Sequence, residues 1–294
     1  MRSKFTCRPG GISLEWMNRK PWFELHDSPR FPGFLRDMVT DGLEHTWNWL
    51  GSYRCIAPLL RRAVAESGAR QVVDLCSGGG GPWLSLAPEL KDAGGQPVAV
   101  VLTDKFPNRK AFERTRAASG GRIDFSAEPV DARAVGENLR GFRTIFSSFH
   151  HFTPEAARAM LADAFEKREG IGVFELAQPK AKTVALCFGM PVLNWLLTPG
   201  MRPLGWRRVV WTYLLPVIPF TLWLDGILSC LRSYSLADMR ELVRGLEAED
   251  YHWEIGEAGT GKARVAYLVG IAGIQGAGDG ASNGDGASNL VVAK

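Results

Sequence analysis

The sequence predicts an α/β fold, a parallel sheet with helices packed on both faces, and three observations carry that expectation. Short apolar runs alternate with helical periodicity from about residue 71 to 176. Four glycines, Gly78 to Gly81, separate the first of those runs from a helix in VVDLCSGGGGPW, residues 72–83. A last strand pair surrounds the turn GEAGTGK. Strands that alternate with helices are joined by crossovers, and crossovers place helices on the faces of a parallel sheet.

Taken in order, the apolar positions Leu35, Met38, Val39, Leu43, Trp47 and Leu50 recur at helical spacing and predict a helix over 34–50. A second helix, 57–66, stops at Gly68. A strand at 71–75, a helix at 83–90, a strand at 98–103 and a helix at 109–118 follow. Two short strands come next, at 123–125 and 144–147. The helix at 154–167 has Thr153 as N-cap and Pro154 in its first turn, and it leads to a strand at 171–176. Residues 177–233 break the rhythm as an apolar insertion rich in Pro and Trp. A helix at 236–246 and strands at 252–256 and 264–270 complete the pattern. The tail repeats GDGASN and cannot bury apolar surface, which predicts disorder. The expected organisation is a helical cover (1–68), an α/β domain (69–176 with 234–272), a hydrophobic helical insertion acting as a lid (177–233) and a disordered tail (273–294).

With 294 residues, 46% of them hydrophobic and 22% charged, the chain has ample material for a core. A net charge of +4, with lysines and arginines scattered, argues against a nucleic-acid partner. The five cysteines form no CxxC and no His pair completes a zinc pattern, so no metal site is expected. Their odd number, without a secretory leader, predicts a reducing cytoplasm. Residues 209–224, VVWTYLLPVIPFTLWL, carry no charge and follow Trp206, Arg207 and Arg208. A spanning helix needs about 20 apolar residues, and Pro216 and Pro219 interrupt this run. The expectation is a buried or interfacial segment, with peripheral contact at a membrane surface as the related reading.

The glycines lie where an open parallel sheet binds ligands, at the carboxyl ends of its strands. A dinucleotide loop GxGxxG takes Gly78 and Gly80, but its third glycine falls on Trp83, which obstructs close helix–strand packing. A P-loop needs a lysine followed by Ser or Thr, and none follows these glycines. Gly256, Gly261 and Lys262 have P-loop spacing, yet Ala263 replaces the hydroxyl, and that stretch reads as a hairpin turn.

Asp74-x-Cys76-x-Gly78-x-Gly80 resembles the first motif of class I S-adenosylmethionine-dependent methyltransferases, with Cys76 in place of the usual first glycine. The resemblance implies a Rossmann-like, doubly wound, mostly parallel seven-stranded sheet with a closing antiparallel strand pair, and S-adenosylmethionine as cofactor. It implies that the loop, Cys76, Ser77, Gly78, Gly79 and Gly80, holds the methionine part of the cofactor by backbone contacts and that Asp74 helps orient the loop and the ammonium group. Asp104, at the end of VVLTD, matches the ribose-binding carboxylate, with Lys105 beside it and Phe106 placed to stack on adenine. In EPVDARAV, Asp131 matches the acceptor for the adenine amino group and Ala132 offers a backbone amide. TIFSSFHHF, residues 144–152, resembles the LHH stretch of many small-molecule methyltransferases, so Ser147, Ser148 and Phe149 line the cofactor and His150 or His151 faces the acceptor. The resemblance covers about residues 70–176 and the closing strand pair.

Methyl transfer to a hydroxyl or weakly acidic carbon needs a proton acceptor, which typically contributes 10²–10⁴-fold. His150 and His151 are the candidates, with Glu175 at a strand end as a third. The insertion carries Trp195, Trp206, Trp211 and Trp223 among aliphatics and predicts a hydrophobic or amphipathic acceptor such as a lipid, isoprenoid, polyketide or other aromatic. Trp16, Trp22 and Phe23 are candidates for a cover over the cofactor. The enzyme reading has one rival of another class, a non-catalytic cofactor-binding module or partner subunit on the same fold. A nicotinamide-dependent oxidoreductase is disfavoured by Trp83.

Overall fold

The computed structural model describes residues 23–92, 94–260 and 264–273. Trp16, Trp22, Gly261, Lys262 and the repeated tail lie outside the described residues. Seven strands form one sheet in the order β3-β2-β1-β4-β5-β7-β6. They are β1 Gln71–Leu75, β2 Ala99–Leu102, β3 Ile123–Phe125, β4 Phe142–Phe146, β5 Ile171–Glu175, β6 Tyr251–Ala258 and β7 Val265–Ala272. The first five pair in parallel, whereas β7 runs antiparallel between β5 and β6. The doubly wound sheet and its closing antiparallel pair are thus as the sequence predicted. Strand order reverses between β1 and β4, and the cleft at such a switch point is where this architecture binds ligands.

Helices α1 (Gly33–Leu50), α2 (Ala57–Glu66), α3 (Trp83–Leu86), α4 (Arg109–Ala118) and α5 (Pro154–Glu166) lie close to their expected positions. Pro88 confines α3 to four residues, and a 3-10 turn at Ala87–Glu89 continues it. The Thr153 hydroxyl accepts from the Ala156 amide and caps α5. Two apolar cores flank the sheet. One joins Val73, Ile145 and Val173 to Met160 and Leu161 of α5 and to Met239 and Leu242 of α10 (Leu236–Val243). The other joins Val72, Val100 and Phe142 to Leu60 of α2, Trp83 of α3 and Phe112 of α4.

The insertion is helical: α6 (Ala181–Cys187), α7 (Met190–Leu197), α8 (Trp206–Val209) and α9 (Val217–Arg232). Five residues of π-helix, Val210–Leu214, connect α8 to the Pro216 break. Leu222 and Ile218 of α9 pack on Val39 of α1, so insertion and N-terminal helix share a small core.

Candidate functional site

The carboxyl end of β1 presents Asp74, which is 1% exposed. Its Oδ2 accepts from the Ser77 hydroxyl at 2.6 Å and its Oδ1 from the Thr144 hydroxyl of β4 at 2.7 Å, which ties the loop to both switch-point strands. Burial raises this carboxyl to about 7 despite those bonds. Cys76, Gly78, Gly80 and Gly81 all take positive φ (60°, 56°, 120° and 61°). Only glycine does so freely, and Cys76 in that conformation costs roughly 1–2 kcal/mol. The usual glycine at this position is thus a backbone requirement that Cys76 meets under strain.

The loop's glycines do not all wait for a ligand. A Cβ on Gly79 would stand 2.6 Å from the Thr40 carbonyl oxygen, so the backbone of α1 fills that space. A Cβ on Gly80 would stand 2.8 Å from Thr115 Oγ1 of α4. Gly80 therefore also serves the packing of α4 against the loop.

Asp104 ends just beyond β2, where Oδ2 accepts from the Gly78 amide at 2.8 Å and Oδ1 from the Phe106 amide at 2.7 Å. Each carboxylate oxygen has a second lone pair, so the group still has acceptors for two hydroxyls. Phe106 is 68% exposed and lies 5.7 Å from the Arg36 guanidinium, an open platform for a flat ring. Asp131 has a partner of its own. Arg133 engages it through Nε at 2.9 Å and its amide at 3.0 Å, and these bonds hold the carboxyl below its usual range. Lys105 Nζ stands 3.8 Å from the same carboxylate. Arg133 shares this carboxylate, whose remaining lone pair is what an adenine amino group would use.

At the end of β4 the chain turns through Ser147, at φ 41°, whose Oγ is 2.7 Å from the Tyr53 hydroxyl. Ser148 Oγ donates to the Phe146 carbonyl at 3.1 Å. Phe149 is fully buried and packs against Tyr234, with ring centroids 5.2 Å apart, so it is a core residue. His150 is also buried. Its Nδ1 lies 2.7 Å from Glu175 Oε2 and its Nε2 lies 3.4 Å from Glu24 Oε1. Burial disfavours its charge, but the two carboxylates prevail and push it up to about 10. The two carboxylates hold His150 toward its protonated form, which disfavours it as a proton acceptor although it lines the cavity. Glu175 also accepts from the amides of Phe149 at 2.8 Å and His150 at 3.3 Å, so it anchors the turn and is not a catalytic group. The carboxylate partners of His150 and the burial of Glu175 are long-range features that sequence position does not disclose.

His151 remains. Its Nδ1 lies 2.8 Å from Asp27 Oδ2, its Nε2 lies 3.8 Å from Glu24 Oε2, and it faces the cleft. A carboxylate at Nδ1 fixes the imidazole's orientation and leaves Nε2 to act on a ligand. Around it stands a cluster that the sequence reading missed. His26 Nδ1 lies 2.7 Å from Asp225 Oδ2, and Asp225 also accepts from the amides of Leu25 at 2.7 Å and His26 at 3.2 Å. The Arg232 guanidinium donates to the His150 and His151 carbonyls at 3.1 and 3.0 Å and to Asp27 at 3.2 Å. Glu24, His26 and His151 each offer a ligand atom within 4.8 Å of the others, an arrangement open to a divalent ion that the cysteine and histidine spacing did not suggest. One signal was present: Asp225 is the only acid in the apolar stretch VIPFTLWLDGILSCLR. Glu44 of α1 was missed as well. It borders the cleft, and burial with Asp41 nearby raises it to about 7.

These groups line one cavity of about 910 Å³. Asp74, Ser77, Gly78, Gly79 and Asp104 border one end, and His151 borders it where the N-terminal turn meets α9. Cys76, Phe106, Ser147 and Ser148 line it too, whereas Gly80, Lys105, Asp131, Ala132 and Phe149 are not among its described lining residues. Leu186, Met190, Leu193 and Leu222 of the insertion close it with apolar side chains.

No family model matches the chain, and no curated protein does. Among solved structures it is similar to an O-methyltransferase family protein from Burkholderia thailandensis (14% identity, TM-score 0.45, 81% of this chain and 60% of that one). It is also similar to an O-methyltransferase from neocarzinostatin biosynthesis in complex with S-adenosylmethionine and 2-hydroxy-5-methyl naphthoic acid (14%, TM-score 0.44, 82% and 61%). A third is an O-methyltransferase family 2 protein from Planctomyces limnophilus in complex with apigenin (12%, TM-score 0.44, 79% and 61%). The chain spans about 60% of the length of these proteins. The fold assignment itself rests on strand order and register. The fold is a Rossmann-like, doubly wound, mostly parallel seven-stranded sheet closed by an antiparallel strand pair.

Proposed function

We propose that the chain is an S-adenosylmethionine-dependent methyltransferase acting on a small hydrophobic or amphipathic molecule. The observation that carries this reading is a single cavity running from the glycine loop and Asp104 to the apolar insertion and His151. At about 910 Å³ it lies at the upper end of small-molecule sites, which run to about 1,000 Å³. The residues fit the cofactor. Asp104 has acceptors for ribose hydroxyls, Phe106 offers a face for adenine, and Asp74 and Glu44 supply carboxyls for the ammonium of the methionine head. When bound, the cofactor supplies a methyl carbon activated by its sulfonium. The chain's own residues do the rest. The insertion excludes water from an apolar acceptor, and His151, oriented by Asp27, takes its proton.

Calorimetry should detect uptake of S-adenosylmethionine, weakened in Asp104→Ala by about 1–3 kcal/mol, the cost of leaving buried hydroxyls without an acceptor. Incubation with methyl-labelled cofactor and extract of the native cell should then yield a product heavier by one methyl. Uptake without any turnover would leave a binding module instead, and equal affinity in the variant would remove the ribose assignment.

The two raised carboxyls give a second test. Asp74 and Glu44, each at about 7, are partly protonated at neutral pH. A nearby cation favours the carboxylate and lowers its pKa, so binding at pH 7 should release a fraction of a proton. Binding enthalpies in buffers of different ionisation heat read that fraction, and Glu44→Gln should reduce it. A buffer-independent enthalpy would mean that no ammonium approaches these groups.

A further inference from the structure

We propose that the outer face of the insertion docks on an anionic phospholipid bilayer and that the cavity mouth opens beside it. The inference rests on large apolar side chains exposed along the insertion. Leu196 of α7, Trp206 of α8 and Leu214 of the π-helix are 72%, 71% and 75% exposed. Phe188 and Phe220 are exposed as well, and each ring packs on Trp223, at 5.8 and 5.7 Å between centroids. The Tyr213 hydroxyl donates to the Trp195 carbonyl at 2.7 Å and the Trp195 indole donates to the Thr212 carbonyl at 3.0 Å, so α7 and the π-helix form one continuous surface. Contiguous apolar patches of this kind on a folded protein mark an interaction site.

Charge selects the occupant. Between Glu175 and Asp225 the chain has no acidic residue and five basic ones. Lys180 is engaged by Glu257, and Arg208 is buried against Asp41. Lys182, Arg202 and Arg207 stay exposed, and the Arg207 guanidinium lies 5.6 Å from the Trp206 ring. Two copies of such a face would repel each other, whereas anionic headgroups attract it and tryptophan and tyrosine settle at headgroup depth. Among the described residues no single helix is long and apolar enough to cross a membrane. The two apolar helix pairs bend by 42° and 65° at their breaks, which suits dipping into one leaflet.

The cavity meets this face at α6. Leu186 is exposed and lines the cavity, and Lys182 does so one turn earlier. An acceptor dissolved in the leaflet would thereby reach the apolar end of the site without crossing water. This delivery rests on the methyltransferase reading, but the docking does not.

Co-sedimentation of the full chain with phosphatidylcholine vesicles containing one-third phosphatidylglycerol tests the docking. The protein should pellet with them at least about tenfold more tightly than with phosphatidylcholine alone. The double variant Leu196→Asp/Leu214→Asp should bind at least about tenfold more weakly. Both side chains already face water, so its unfolding midpoint should match that of the unchanged protein. Wild-type protein left in the supernatant, equal binding by the variant, or a solution dimer that the variant dissolves would each overturn the proposal. Calorimetry of S-adenosylmethionine on the same material separates the two readings. Cofactor uptake without vesicle binding rejects the docking alone, and vesicle binding without cofactor uptake rejects the enzyme alone.

Discussion

Glu175→Gln is expected to destabilise the protein by about 3–5 kcal/mol, the usual consequence of stripping one partner from a buried ion pair. Glu175 and His150 are each at most 2% exposed, and the carboxylate holds both the imidazole and two amides of the turn after β4. The effect should depend on pH in a defined direction. His150 is raised from 6.5 to about 10, so the stability it contributes is fully present below 6.5 and is lost as pH rises toward 10. Glu24, in contact with the same imidazole, is lowered from 4.5 to about 2 against the effect of burial, so its contribution is present above 4.5 and is lost as pH falls toward 2. The wild-type protein should therefore be steadiest between about 4.5 and 6.5 with respect to this cluster. Urea unfolding at pH 6 and pH 9 should show the variant's deficit shrinking at the higher pH. Parallel profiles would mean that His150 is neutral in the fold, and its role as a base would return.

The pattern of what the sequence disclosed follows from range. Strands β1 to β5 and helices α1 to α5 are local events, set by periodicity and by caps such as Thr153, and they were legible. Asp74, Asp104 and the glycine loop were legible because their chemistry is tied to strand ends a fixed distance apart. The polar cluster was not. His26 meets Asp225 across 199 residues and His151 meets Asp27 across 124, separations over which no spacing rule operates. Burial was likewise invisible: it takes Glu175 and Phe149 out of the cavity lining and leaves His150 at the cavity wall between two carboxylates. The partner of Asp131 is local, since Arg133 two residues on shares its carboxylate.

Gly79→Ala is expected to disturb the site more than Gly78→Ala, although only Gly78 has positive φ. An alanine Cβ at 79 would meet three backbone atoms of α1: the Thr40 oxygen at 2.6 Å, the Thr40 carbon at 2.8 Å and the Asp41 nitrogen at 3.0 Å. Main chain cannot rotate aside as a side chain does, so α1 or the loop must shift bodily, with a loss of about 1–3 kcal/mol in stability. The same shift would carry Gly78 away from Asp104 and misplace a site that tolerates displacements of well under an ångström, with a drop of about 10²-fold in turnover. At 78 the added Cβ would lie 3.6 Å from Thr40 Cβ and Cγ2, an ordinary contact, so only the left-handed backbone resists it, at roughly 1–2 kcal/mol. Unfolding midpoints and cofactor affinities of the two variants separate crowding from backbone strain. Should Gly78→Ala prove the more damaging, α1 would not be seated on the loop in the working protein, and the N-terminal helix would lose its place as a wall of the site.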